Sequence, residues 1–227
     1  MTGKQLLIYT IYASLVIQLI TGIITLDAVL TPVDKNNKIL TDVAWIELVV
    51  QIIEATWYIV IVFAIRSLQN DTIAARRYID WVITTPVMLL STALFMSYKT
   101  AEKLGKTIST KEVLTNKKTP LIKIGIYNFL MLVFGYLGEV NILQKMISIP
   151  VGFVFFALSF WGLYSEFVAN IVINKYLFYF MFIVWGLYGV AAFFSVIPKN
   201  LAYNALDIVS KNFYGIFIWY IIKTLHK

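Results

Sequence analysis

Seven long apolar runs divide the chain, and the polar residues inside them fall at helical steps. The first run, about Gln5 to Leu30, carries Ser14, Gln18, Thr21 and Thr25 at steps of four, three and four, all on one helix face. In a membrane helix such hydroxyls bond their own backbone or a neighbouring helix, an account that suits Gln18 less well. The second run, about Asp42 to Leu68, holds Glu47, Gln51 and Glu54 on one stripe, about 10 Å along the axis. Lipid gives such groups nothing to bond, so the stripe calls for a wet or paired surrounding; Glu47 alone also suits an interfacial position. The third run opens after Asn70 and Asp71 and continues to about Tyr98, with Arg77, Asp80 and Thr84 on one face and Pro86 predicting a kink. Runs four and five, about Leu121 to Leu137 and Ile142 to Tyr164, are joined by Gly138 to Asn141 and predict an antiparallel hairpin with nearly wholly apolar faces. Its Phe153, Phe155, Phe156, Phe160 and Trp161 read as packing. The sixth, about Ile173 to Val196, places Trp185 and Tyr188 one turn apart, followed by Gly189. The seventh, about Leu201 to Ile222, carries Asn204, Asp207 and Lys211 at steps of three and four, then Asn212, Tyr214 and Gly215.

Composition agrees with this pattern. Of 227 residues, 60% are hydrophobic and only 14% charged, outside the range of soluble globular chains. The prediction is an all-α integral membrane protein, a seven-transmembrane helix bundle forming one domain over residues 1–227. The first run is too long and lacks the small-residue pattern of a cleavable signal, so it reads as the first span. A net charge of +7 could suggest nucleic acid, but the lysines crowd into loops beside apolar runs, where they set orientation. With the lysine-rich segment Lys99 to Lys118 on the cytoplasmic side, that side holds twelve of the nineteen Lys and Arg residues, the amino terminus lies outside and the carboxyl terminus inside. The absence of cysteine excludes disulfides and thiolate sites, and the one histidine, His226, argues against a metal centre. Lipid is the expected partner and nucleic acid is not; no enzymatic activity is expected.

Asp207 and Lys211 place two opposite charges inside a span, where a charge costs a few kcal/mol or more and usually serves a function. One reading is a structural ion pair; the other is a lysine kept for covalent chemistry. Desolvation would strip a lone buried lysine of its proton, so carboxylates at similar depth, Asp80 and Asp207, argue that a cation persists there. An amine condensed with an aldehyde and held protonated between them fits, with aromatic walls for a long apolar cofactor.

These residues also carry a family resemblance. The segment from Arg77 through Asp80, Trp81, Thr84 and Thr85 to Pro86 resembles the third-helix signature of microbial rhodopsins. Trp185 to Tyr188 resembles their sixth-helix clamp, and Leu206 to Lys211 their retinal-attachment segment. The resemblance covers essentially the whole chain. It implies all-trans-retinal on Lys211 as a protonated Schiff base, with Asp80 and Asp207 as counter-ions, Arg77 ordering water beneath them and Thr84 hydrogen-bonded to Asp80. Trp81, Thr85, Phe156, Trp185 and Tyr188 would line the pocket.

The departures decide the expected function. The carboxylate that reprotonates such pumps stands eleven residues beyond the third-helix aspartate, about 16 Å along the helix; Ser91 occupies that position. Lys199 stands near the place of a release glutamate. Gly189 and Phe156 replace a proline and a tryptophan, which predicts a looser ring end. Ser14, Gln18, Glu47, Gln51, Glu54 and Asn204 would instead line a route for cations. This pattern resembles group 1 viral rhodopsins, light-gated cation channels, and a viral member would reside in a host membrane. The expectation is a monovalent-cation channel, with blocking by divalent ions and assembly of copies left open; an outward proton pump using Glu47 or Glu54 as donor is the alternative.

Overall fold

The computed structural model describes residues 2–64 and 70–225. The predicted end of the second run at Leu68, together with Arg66, His226 and Lys227 from the charge and metal arguments, lies outside the described residues. Seven helical spans are long and apolar enough to cross a membrane, and among the described residues there is no strand. They comprise α1 (Gly3–Leu30), α2 (Lys38–Ala64), α3 (Asn70–Lys103), α5 (Lys118–Glu139), α6 (Lys145–Leu163), α7 (Val172–Ala191) and a seventh span built from α8 (Val196–Asp207), a π-helical turn (Ile208–Asn212) and α9 (Phe213–Thr224). A short helix, α4 (Thr110–Asn116), lies in the lysine-rich connection.

α1 shows why the chain folds in this sense. Leu7, Ile11, Ser14, Gln18, Thr21, Thr25 and Ala28 are buried at alternating steps of four and three, while Val16, Leu19 and Ile23 are 55%, 50% and 69% exposed. The polar stripe turns inward because lipid satisfies apolar side chains and leaves amides and hydroxyls unbonded. Neighbouring helices pack as α1 on α2, α2 on α3, α3 on α5, α5 on α6, α6 on α7 and α7 on α8, and α1 closes the ring against α8 and α9. An apolar cluster around Ile11, Tyr58, Ile61 and Ile73 fills the end away from the lysines, and a larger one including Leu40, Met88, Phe95 and Ile218 fills the lysine-rich end. The polar residues form a belt between them.

The predicted boundaries need correction in four places. α3 continues through Pro86 to Lys103, a full turn past Tyr98. α6 begins at Lys145 rather than Ile142 and ends in a second π-helical turn, Tyr164–Val168, before Ala169 adopts a positive φ of 49°. The sixth span ends at Ala191, five residues before Val196, and the seventh starts at Val196. α4 lies where only a loop was expected. Its Ser109–Glu112 capping box, in which each side chain accepts from the other's backbone N–H, is a sequence signal that would have located it. The packing reading of the α6 aromatics divides: Phe156 and Phe160 are buried, whereas Trp161 is 68% exposed on the outer surface.

Candidate functional site

The seventh span loses its regular α geometry at Lys211. The π-helical turn Ile208–Asn212 changes the backbone bonding there, and polar groups from α1 and α2 take up the slack. Gln51 Nε2 donates to the Lys211 carbonyl at 3.2 Å, and Asn212 Nδ2 donates to Gln51 Oε1 at 3.2 Å and also to Thr21 Oγ1. Gly215 permits this closeness, since a Cβ there would lie 3.1 Å from Thr25 Oγ1 and 3.3 Å from Gln51 Nε2. The sequence pattern predicted a polar face on each helix; no local rule marks the π turn.

Lys211 Nζ points into three carboxylates. Asp80 Oδ2 accepts its hydrogen bond at 2.8 Å, Glu54 Oε1 lies at 3.3 Å and Asp207 Oδ1 at 4.0 Å. Asp207 is engaged elsewhere: its Oδ2 accepts from Arg77 Nη1 at 2.7 Å and from the Tyr58 hydroxyl at 2.8 Å, and its Oδ1 from Tyr188 at 2.8 Å. Arg77 also donates to Tyr58 at 3.0 Å and to Asn204 Oδ1, and Asn204 Nδ2 in turn donates to Thr10 at 2.8 Å. Arg77, Asp80, Asp207, Glu54 and Lys211 are all buried. Glu54, expected on an ion route passing the Lys211 nitrogen and near Arg77 and Asp207, is a direct neighbour of Lys211; its depth was legible, its contact with the amine was not. Two cations face three carboxylates, so with every group ionised the cluster carries one excess negative charge. Thr84 bonds Asp80 through the main chain: its hydroxyl donates to the Asp80 carbonyl at 3.0 Å, the ordinary bond of a helical threonine, leaving the carboxylate to Lys211.

An apolar cavity runs from Lys211 between α3, α5, α6 and α7. Trp81, Thr85, Phe156, Trp185 and Tyr188 all line it, as do Met88 and Phe153. Trp81 and Tyr188 meet edge to face with centroids 5.3 Å apart. Thr85 donates to the Trp81 carbonyl at 2.7 Å and accepts from Asn128 Nδ2 at 2.7 Å, a contact the sequence did not suggest. An aromatic-walled space that includes a buried amine fits the polyene aldehyde that the family resemblance implied. Beside Gly189, Phe153 occupies the place where a Cβ would stand. Sequence comparison by position could not find this, because Phe153 lies on a different span.

The remaining sequence-derived residues fall into two places. Ser14, Gln18, Glu47, Gln51, Glu54 and Asn204 are buried together along α1, α2 and α8. Ser14 Oγ, both polar atoms of Gln18 and both oxygens of Glu47 and Glu54 have no hydrogen-bond partner among the described residues. Ser91 lies 3.3 Å from the Tyr214 hydroxyl, with Glu47 beside both. Lys199 is buried in an ion pair with Glu139 across the ends of α8 and α5, a partnership that the apolar reading of the hairpin had passed over.

A family model described as bacteriorhodopsin-like protein matches residues 7–225. Among solved structures, viral rhodopsin OLPVRII matches with a TM-score of 0.85 at 29% identity, covering 97% of this chain and 99% of that one. The light-driven proton pump Coccomyxa subellipsoidea rhodopsin matches in fold, with a TM-score of 0.69 at 18% identity and 97% of each chain covered. A green-light absorbing proteorhodopsin from Gamma-proteobacterium EBAC31A08 is 25% identical over 183 residues, covering 73% of this chain and 68% of its own length.

Proposed function

Because the chain belongs to the family of bacteriorhodopsin-like proteins, retinal photoreceptors and ion transporters, we propose that it is a light-gated channel for monovalent cations, protons included, with retinal attached to Lys211. The observation that carries this reading is the buried seam from Ser14 and Gln18 through Glu47 and Glu54 to Asn204, most of whose polar atoms lack a protein partner. Buried amides and carboxylates left unbonded cost several kcal/mol, so the seam is built for water or ions. Carboxylates lining such a seam favour cations over anions. By the count of basic residues the lysine-rich end is cytoplasmic and the amino terminus outside.

Bound at Lys211, all-trans-retinal supplies absorption of visible light and a change of shape beside the charged cluster. Trp81, Trp185 and Tyr188 orient it and keep water from the cavity. Asp80 Oδ2, 2.8 Å from Lys211 Nζ, is the nearest acceptor for the proton on that nitrogen. Once Asp80 is neutral, Asp207 remains the anion on Arg77 and the field around Glu54 and Lys211 changes, which alters the barrier along the seam. Ser91 has no acidic proton to return from the lysine-rich side. In voltage-clamped cells supplied with retinal, photocurrents should reverse with voltage, follow the sodium or potassium gradient and fall in Asp80→Asn. A one-directional current indifferent to those ions would overturn the channel reading, and visible absorbance persisting in Lys211→Ala would overturn the attachment.

A second reading rests on Glu47, buried beside Ser91 and Tyr214 on the lysine-rich side of Lys211. There it would stand in for the missing donor of an outward proton pump. Illuminated vesicles would then acidify their surroundings, an effect abolished by a protonophore and by Glu47→Gln.

A further inference from the structure

At the lysine-rich end an apolar groove of about 240 Å³ opens between α3 and α5, lined by Pro86 and Leu90 of α3, Leu114 of α4, and Ile122 and Gly125 of α5. Its floor is open, since a Cβ on Gly125 would meet nothing within 4 Å, and Leu114 and Ile122 are 41% and 51% exposed. α4 is fixed above it. Thr110 Oγ1 donates to Asp42 at 2.5 Å, Val113 is buried and Lys117 pairs with Glu166 at 2.8 Å. Helical spacing sets two basic residues at the mouth. Lys118 shares the face of Ile122 and Gly125 at steps of four and three, and Lys111 precedes Leu114 by one turn. Both lysines are exposed, and among the described residues neither makes an ion pair.

We propose that this groove is a specific site for one anionic phospholipid of the adjoining leaflet, its acyl chain against Leu90, Leu114 and Ile122 and its phosphate between Lys111 and Lys118. The observation that selects this occupant is the union of an apolar slot on the face of two membrane-spanning helices with exposed cations one turn beyond it, Lys111 before Leu114 and Lys118 before Ile122. A zwitterionic lipid would bring its own cation to the lysines, and a second copy would bring the same lysine-rich end against this one. The site stands apart from the charged cluster and does not depend on the transport mode.

The test is native mass spectrometry of the full chain in detergent with added phosphatidylglycerol or phosphatidylcholine. One phosphatidylglycerol should be retained in preference to phosphatidylcholine. Lys111→Gln and Lys118→Gln should each weaken it about five-fold, whereas Lys4→Gln at the opposite end should leave it unchanged. Gly125→Trp should remove it by filling the groove, with helical circular dichroism as the check on folding; if that variant does not fold, the two lysine variants decide. Equal retention of both lipids, or lysine variants that bind as the parent does, would overturn the proposal, as would an equal loss in Lys4→Gln.

Discussion

Arg77 and Asp207 lie 2.7 Å apart, across two spans, so the arginine that shares a helix face with Asp80 neutralises a different carboxylate. Asp80 is thereby left as the closest acceptor of Lys211. The two buried cations are held by separate anions, and Glu54 joins the second.

Asp207→Asn leaves the Arg77 charge buried among neutral partners. Removing one member of a buried pair costs about 3–5 kcal/mol. The thermal midpoint followed by circular dichroism should fall far more than in Glu54→Gln, which leaves Lys211 paired with Asp80 at 2.8 Å. Equal losses in the two variants would mean that Arg77 does not depend on Asp207.

Gln51 bonds the backbone of the attachment residue, so its effect should exceed that of an ordinary surface amide. Gln51→Ala removes the side-chain bond to the Lys211 carbonyl and one of the two bonds of the Asn212 amide, which keeps Thr21 Oγ1. A buried group left unbonded costs about 1–3 kcal/mol. Thermal unfolding should report a loss of that size, whereas Thr56→Ala, on an exposed face of the same helix, should change the midpoint little.

Gly189→Ala drives a methyl group into the Phe153 ring. Overpacking of this kind costs about 1–3 kcal/mol. Gly189→Ala combined with Phe153→Leu should recover much of the loss, because the smaller side chain vacates the contested space. A double variant no more stable than Gly189→Ala would show that the clash lies elsewhere.

Glu112 gives a pH dependence outside the membrane. Hydrogen bonds from the Ser109 backbone N–H and hydroxyl hold its carboxyl below the ordinary glutamate value of 4.5. A depressed value in the folded state means that the cap contributes fully above pH 4.5 and is lost as pH falls through the folded value. Hydrogen exchange in α4 should therefore show less protection, relative to the intrinsic rates, at pH below that point, and Glu112→Gln should abolish the pH dependence because the amide does not titrate, whereas Ser109→Ala should only reduce it, since the residue-109 backbone N–H still donates to Glu112.

The polar stripes were legible because the helical period is fixed by backbone geometry. Ser14, Gln18, Glu47 and Glu54 therefore had to share faces on their own spans whatever surrounded them. The pocket residues Trp81, Trp185 and Tyr188 came from motif positions. The partners did not follow in the same way: Lys211 and Asp80 are 131 residues apart, and nothing local states which of three carboxylates a buried amine will meet. Phe153 filling the space beside Gly189, and Glu139 pairing with Lys199, are likewise contacts between spans.

By itself the sequence determined seven spans, an inward-facing polar face on the first, second and seventh, and a lysine buried among acids, because hydrophobic length and helical period are properties of the chain alone. Only the tertiary structure decided that Glu54 joins Asp80 at Lys211, that Asp207 holds Arg77, and that the seventh span turns through a π segment braced by Gln51. Those outcomes depend on the rotation and depth of each helix against its neighbours, which side-chain packing and the pairing of buried charges fix together.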